Sequence, residues 1–329
     1  MITEPTVLVL GAGASIGYGF PSGIQLLNEI CERCKSRDAI GYAMNLNIHR
    51  MLHGLLIELE KAPVQSIDEF LSYQKDFTEA GKFAIAYCLI PYENETALTD
   101  RTKRSSSWYQ YLFKAMEAPT IEEFLKNKLS IVTFNYDRSI DRFLQSAMQV
   151  MYKLDAAKSF EALNHFPIHH VHGQLGSLDF NDKKYWELTN TNLPSASQIT
   201  PAGGLVRFRP YNNEVNHRAL MAAMADLTII HEGDNTLTMD KFRLANEACK
   251  NATRIMFLGF GYHEVNVQRL KLTKIENNIL RMSVNAAIGG TCWGMTDAEK
   301  NKATRLIPML GLCDPKFDCL TYLRNSGWF

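Results

Sequence analysis

His172, Asn135 and Asp137 are the residues of this chain whose types and spacing can do chemistry. An imidazole is the side chain best poised to take a proton near neutral pH, so a histidine held beside a hydroxyl or water can act as a general base. His172 follows Phe166-Pro167-Ile168-His169-His170-Val171 and precedes Gly173, which reads as a strand end. A single histidine is more often a satisfied core or surface residue. Three histidines within four positions also raise a metal site, because His170 and His172 would share one strand face. With no Cys or acidic residue at zinc-like spacing nearby, metal ranks low.

Thr133-Phe134-Asn135-Tyr136-Asp137 ends a second apolar run, Leu129-Ser130-Ile131-Val132. An amide and a carboxylate on alternating positions past a buried strand face one way, and are costly to desolvate without a ligand or mutual hydrogen bonds. Asn135 and Asp137 are therefore site candidates, with Thr133 beside them. The competing role for Asp137 or Ser139 is to cap the helix of Ile140, Arg142, Phe143 and Leu144.

A third motif, Gly11-Ala12-Gly13-Ala14-Ser15, follows the strand-like run Thr6-Val7-Leu8-Val9-Leu10. Glycines there let the backbone turn tightly and approach a pyrophosphate, and a helix beyond Pro21-Ser22 would aim its amides at the same charge. The hydride-transfer fingerprint fails on spacing, since Ile16 stands where its third glycine belongs and the next is Gly17. Alone, the glycine pair is equally a plain strand-to-helix turn. All three motifs open at the end of an apolar run, where an α/β fold presents groups to a nucleotide.

In that order, Gly-Ala-Gly-Ala-Ser, Thr-x-Asn-x-Asp and His-Gly resemble the sirtuin superfamily over nearly the whole chain. Thr-Phe-Asn-Tyr-Asp-Arg, with Ser66-Ile67-Asp68-Glu69-Phe70-Leu71 upstream, is closer to the sirtuin-like NAD hydrolases of bacterial anti-phage defence than to the protein deacylases. Ile255-Met256-Phe257-Leu258-Gly259-Phe260-Gly261-Tyr262 resembles the strand and glycine-rich turn that close over the dinucleotide, adding Gly259 and Gly261 to the binding residues.

The resemblance implies NAD+ as substrate, cleaved at the nicotinamide–ribose bond through an oxocarbenium-like state. Asn135 would hold the ribose and the water, His172 would act as base, and Asp137 would help bind the nicotinamide amide. Ala12, Gly13, Ala14 and Ser15 would cradle phosphate. The products are nicotinamide and ADP-ribose, or a cyclic product with an intramolecular acceptor. A module that binds NAD or ADP-ribose without turnover is the alternative, although binding alone needs neither Asn135 nor His172. A deacylase or ADP-ribosyltransferase ranks third.

Two departures separate the chain from the deacylases. Their four-cysteine zinc module is missing: Cys31 and Cys34 form the only Cys-x-x-Cys spacing, ahead of the catalytic motifs and on the periodic face Ile24, Leu27, Cys31, Cys34. A core helix explains that pair, and zinc is not implied. No Phe-Gly-Glu segment follows His172, so an acyl-lysine substrate is not implied either.

Composition fits a cytoplasmic globular enzyme. The 329 residues are 46% hydrophobic and 21% charged, enough for a substantial core. Lys plus Arg and Asp plus Glu are both 35, so no global attraction to nucleic acid follows and direct binding to it is not expected. Seven scattered cysteines suit reduced thiols. No secretory leader opens the chain, and no apolar run reaches the ~20 residues of a membrane span.

These elements predict one domain over 1–329, a doubly wound (Rossmann-like) parallel α/β sheet with a helical insertion at about 38–127. In the insertion Leu46, Met51, Leu52, Leu55, Leu56 and Leu59 recur at helical spacing, Ser66 with Glu69 and Thr120 with Glu123 read as capping boxes, and Phe83 to Ile90 is strongly apolar. Asn94 to Ser107 and Pro194 to Gly204 read as loops, Arg207-Phe208-Arg209 as an exposed strand face, and strands are expected through Ile229, Phe257 and Ala287. The motifs and the final strand-helix region run to Leu320-Thr321-Tyr322-Leu323-Arg324, so no appended sensor domain is expected. Activation is thus expected through homo-oligomerisation or a protein partner, which in the resembling systems is a ring ATPase, an Argonaute-like protein or a phage component.

Overall fold

Thr6-Val7-Leu8-Val9-Leu10 form β1, and all five are buried, as a parallel strand covered on both faces requires. In a computed structural model, which describes residues 1–178, 208–229, 236–276, 279–282 and 286–328, this strand is the centre of a sheet. The others are β2 (Leu129–Thr133), β3 (Ile168–His170), β4 (Arg254–Leu258), the hairpin β5 (Thr273–Glu276) and β6 (Ile279–Met282), β7 (Ala287–Gly290) and β8 (Leu310–Leu312). The hairpin stands apart; the six remaining strands are all parallel and lie in the order β3-β2-β1-β4-β7-β8. This is the doubly wound Rossmann order, third-second-first-fourth-fifth-sixth, and its switch point lies between β1 and β4.

Strand alternation splits the core in two. Leu8, Leu10, Ile131, Met256 and Leu258 face the helices between β1 and β2 and the helix Cys319–Ser326. Val7, Val9, Val132, Ile255 and Phe257 face Phe242, Ala245 and Cys249 of the helix Thr236–Asn251, with Ala303 and Ile307.

Between β1 and β2 the chain runs through successive helices, from Gly23–Arg33 to Ile121–Phe124. The helix Thr78–Leu89 is apolar nearly all round and buries Phe83, Ala84, Ile85, Ala86, Cys88 and Leu89 at the centre of this layer. Asn94 to Ser107 is not a plain loop: Asn94 and Asp100 each accept a backbone N–H two residues on, opening the helix Glu95–Thr99 and the 3-10 turn Arg101–Ser106. Ser66 and Thr120 cap their helices as expected, but Glu69 accepts from Gln65 N. Reciprocal boxes stand instead at Ser22 with Gln25 and Thr296 with Glu299.

Other expectations are corrected as well. Ile24 is 48% exposed, leaving Leu27 and Cys34 as buried members of its helix face. Ile229 is buried outside any strand. Arg209 is not on an exposed face: it is fully buried against Glu93. Pro194 to Gly204 and Arg207 lie outside the described residues. Among those described, no helix is long and apolar enough to cross a membrane.

Candidate active site at the carboxyl edge of the sheet

Register brings the motifs together. Leu10 pairs with Thr133 and with Leu258, and Thr133 pairs with His170, so the next residues along the chain, Gly11, Phe134, Gly259 and Val171, leave the sheet side by side. In open α/β sheets this carboxyl edge, at the switch point, is where ligands bind.

The loop after β1 is fitted to the loop after β4. Gly11 N donates to Leu258 O at 3.0 Å and Gly13 N to Gly259 O at 3.0 Å. A Cβ at Gly11 would sit 2.6 Å from Gly259 O, and one at Gly13 2.8 Å from Gly259 Cα. Gly259 itself has φ +57, and a Cβ there would reach Ala14 N at 2.0 Å. Backbone contact thus demands all three glycines. Ala14 N and Ser15 N donate within the loop, to Gly11 O and Ala12 O. Four of the loop's amides are therefore spent, and in this conformation it offers a pyrophosphate close approach rather than those donors. Gly261 is less constrained, its nearest neighbour being the side chain of His263.

Asn135 joins the first motif to the second. Its Nδ2 donates to Gly11 O at 3.0 Å and to Ser15 Oγ at 3.1 Å, while its own N–H donates to Thr133 Oγ1 at 3.0 Å. Ser15 Oγ donates a hydrogen bond to Asp137 Oδ2 at 2.8 Å. The other Asp137 oxygen accepts from Ser139 N at 3.0 Å and from Ser139 Oγ, so this carboxylate also anchors the start of the helix Ser139–Tyr152. Burial pushes the Asp137 carboxyl up, opposed by the Ser139 and Ser15 hydrogen bonds and by His170. The network continues into the helical layer: Tyr109 OH lies 2.6 Å from Ser139 Oγ, and Trp108 Nε1 donates to Ala14 O at 2.8 Å. These mutual hydrogen bonds meet the desolvation cost of the buried polar groups.

His172 and His170 do not share a face. The strand stops at His170, and Gly173, with φ +71, turns the chain. A Cβ on Gly173 would lie 1.9 Å from Asp226 O, while Thr228 N holds His172 O at 2.9 Å. His172 consequently packs among Phe134, Phe242 and Tyr136, with ring centroids 5.4, 5.8 and 6.3 Å away. It is 3% exposed, and among the described residues neither ring nitrogen has a hydrogen-bond partner. Burial lowers its pKa, aided by Arg269 and Lys241 and opposed by Asp68 and the Asn266 side chain, so the imidazole is neutral at pH 7.

His170 points to the opposite side, where Nε2 sits 3.1 Å from Asp141 Oδ2. Burial pulls its pKa down, but the Asp141 carboxylate outweighs that and holds it above the usual value. Both line a cavity of about 390 Å³ with Gln174 and Ser177.

A second buried cluster braces the edge. Arg138, next after Asp137, and Arg209 both donate to Glu93 Oε2, and all three are fully buried. Arg138 adds bonds to Gly176 O at 3.0 Å and Arg209 O at 2.7 Å; Arg209 Nε donates to Leu175 O at 2.9 Å. Burial draws Arg138 down to about 10 and Arg209 to about 9. The triad ties the helical layer, the loop after β2 and the segment after His172 into one unit. Sequence reading missed it; the only signal was Arg138 closing Thr-Phe-Asn-Tyr-Asp-Arg.

Among the described residues no group of three or more His, Cys, Asp and Glu is placed to hold a metal ion. Cys34 Sγ faces Cys88 Sγ at 4.0 Å inside the helical layer, and Cys31 is half-buried. Fold and edge together define a Rossmann-like α/β protein with a polar network at its switch point. No family model and no curated protein matches the chain.

Proposed function

We propose that this protein is a sirtuin-like NAD+ hydrolase that cleaves the nicotinamide–ribose bond. The observation that carries the reading is the convergence of the three motifs on one carboxyl edge, with Asn135 bonded to Gly11 and Ser15 of the first. A site that breaks this bond must orient the ribose, release nicotinamide and position water against an electron-poor carbon. Asn135 has the required rigidity for orientation. His172, neutral and in an aromatic surround, takes the proton from the attacking water or from a ribose hydroxyl. Asp137, with both oxygens engaged, acts by holding Ser15, and through it Asn135, rather than by gripping nicotinamide alone.

The product is ADP-ribose, and the biological setting that goes with this chemistry is NAD depletion in anti-phage defence, restrained until self-assembly or a protein partner releases it. The test is to incubate the purified protein with NAD+ and follow nicotinamide, ADP-ribose and cyclic ADP-ribose with and without an acylated peptide. Nicotinamide release independent of the peptide is expected. NAD+ binding without release supports the binding module, and release only with peptide supports the deacylase.

A further inference from the structure

The helix Glu264–Arg269 brings two polar side chains three residues apart, Asn266 and Arg269, to the side of His172. The Arg269 guanidinium lies over the Phe242 ring, 5.3 Å from its centroid, and the same ring packs against His172 at 5.8 Å. Next to this sandwich Asn266 Oδ1 is buried and, like both nitrogens of His172, has no hydrogen-bond partner among the described residues. A buried carbonyl oxygen and a buried imidazole left unmade side by side each carry a desolvation cost that one N–H to O bond would remove. A general-base histidine, moreover, must commit its proton to one nitrogen to leave the other free, and the partner of the N–H fixes that choice.

We propose that Asn266 is the positioning residue of His172: its amide oxygen accepts the imidazole N–H and so presents the other ring nitrogen as the base. The proposal rests on the hydrolase reading for its catalytic consequence, but not for the bond itself. A neutral amide suits the task because it orients the ring without the pull of a carboxylate, which would raise the basicity of His172. The other charges facing the ring are Asp68 from the helix Ile67–Tyr73, Arg269, and Lys241 from the helix Thr236–Asn251. Asp68 is itself held by the hydroxyl of Tyr136.

The test follows the His172 imidazole directly by NMR in wild-type protein, Asn266→Ala and Asn266→Asp, alongside nicotinamide release. The ring's nitrogen shifts report the tautomer and its titration the midpoint, whether or not NAD+ is cleaved. The expected result is one dominant tautomer in the wild type, a mixture in Asn266→Ala, and a midpoint raised by about one pH unit or more in Asn266→Asp, as a carboxylate accepting the imidazole N–H dictates. Where NAD+ is cleaved, kcat in Asn266→Ala falls about tenfold or more with KM nearly unchanged, and Asn266→Gln restores part of it. The same tautomer and midpoint in all three proteins would overturn the proposal, even if NAD+ is cleaved. No cleavage by any of them, with the tautomer shift present, leaves the positioning bond standing and rejects the hydrolase reading instead.

Discussion

The side-chain amide of Asn135 donates at 3.1 Å to the hydroxyl of Ser15, which lies 120 positions earlier in the chain. Ser15 in turn donates to Asp137, so the hydroxyl is a relay between the first and second motifs, not an isolated loop residue. Ser15→Ala severs both bonds. Nicotinamide release should drop about tenfold or more, with a stability loss of about 1–3 kcal/mol from the unpaired groups. Steady-state kinetics and urea unfolding read the two effects, and unchanged kinetics would remove Ser15 from the site.

The glycines at the switch point are fixed by backbone contact. Gly13→Ala and Gly259→Ala each force a Cβ into the facing loop, and Gly259 has φ +57 as well. Each should cost about 2–4 kcal/mol from overpacking, to which left-handed strain adds at Gly259 alone. Gly17→Ala, which meets nothing within 4 Å, should stay within about 0.5 kcal/mol of the wild type. Equal melting temperatures for Gly17→Ala and Gly13→Ala would contradict the loop-to-loop fit.

Glu93 is the shared acceptor of two buried guanidinium groups. Glu93→Gln leaves both without a counter-charge and should destabilise the fold by about 3–5 kcal/mol. A denaturation midpoint close to the wild type would show that the triad does not brace the edge.

The two histidines near the edge titrate with opposite signs. His170 is held above its ordinary value, so its stabilisation is full below about pH 6.5 and is lost as pH rises through the raised value. His172 is lowered, so the stability of its neutral form is present above about pH 6.5 and is lost as pH falls through the depressed value. Unfolding free energy should therefore decline toward alkaline pH in the wild type and decline less in His170→Gln. The acid limb of nicotinamide release should fall below about pH 6.5, where His172 gains its proton. An acid limb above that value would assign it to a different group.

How much of this was legible depended on the range of the contacts. β1, β2 and β4 each follow from a short, mostly apolar run, and parallel register alone then aligns the residues after Leu10, Thr133 and Leu258. Asn135 stood out because an amide at a buried strand end needs a partner, although Gly11 and Ser15 could not be named as those partners from spacing. Arg209 read as surface because an arginine beside an aromatic has no local signature of burial; Glu93 lies 116 residues away. His170 and His172 read as one face because period-two alternation was carried past the point where Gly173 turns the chain. The helices within Asn94 to Ser107 were hidden by polar composition, their caps being two-residue Asx turns instead of boxes.

The most direct test of the central claim compares NAD+ cleavage by wild-type protein, Asn135→Ala and His172→Ala, with melting temperature measured on the same samples. The wild type should release nicotinamide and ADP-ribose, most strongly at high protein concentration, as the proposed activation by self-assembly requires. Both variants should lose at least about a hundredfold in rate and still fold, melting below the wild type by the several degrees that about 1–4 kcal/mol of lost hydrogen bonds at Asn135 and lost packing at His172 implies. Wild-type turnover in a folded Asn135→Ala or His172→Ala protein, or no nicotinamide from wild-type protein under any assembly condition, would contradict the account.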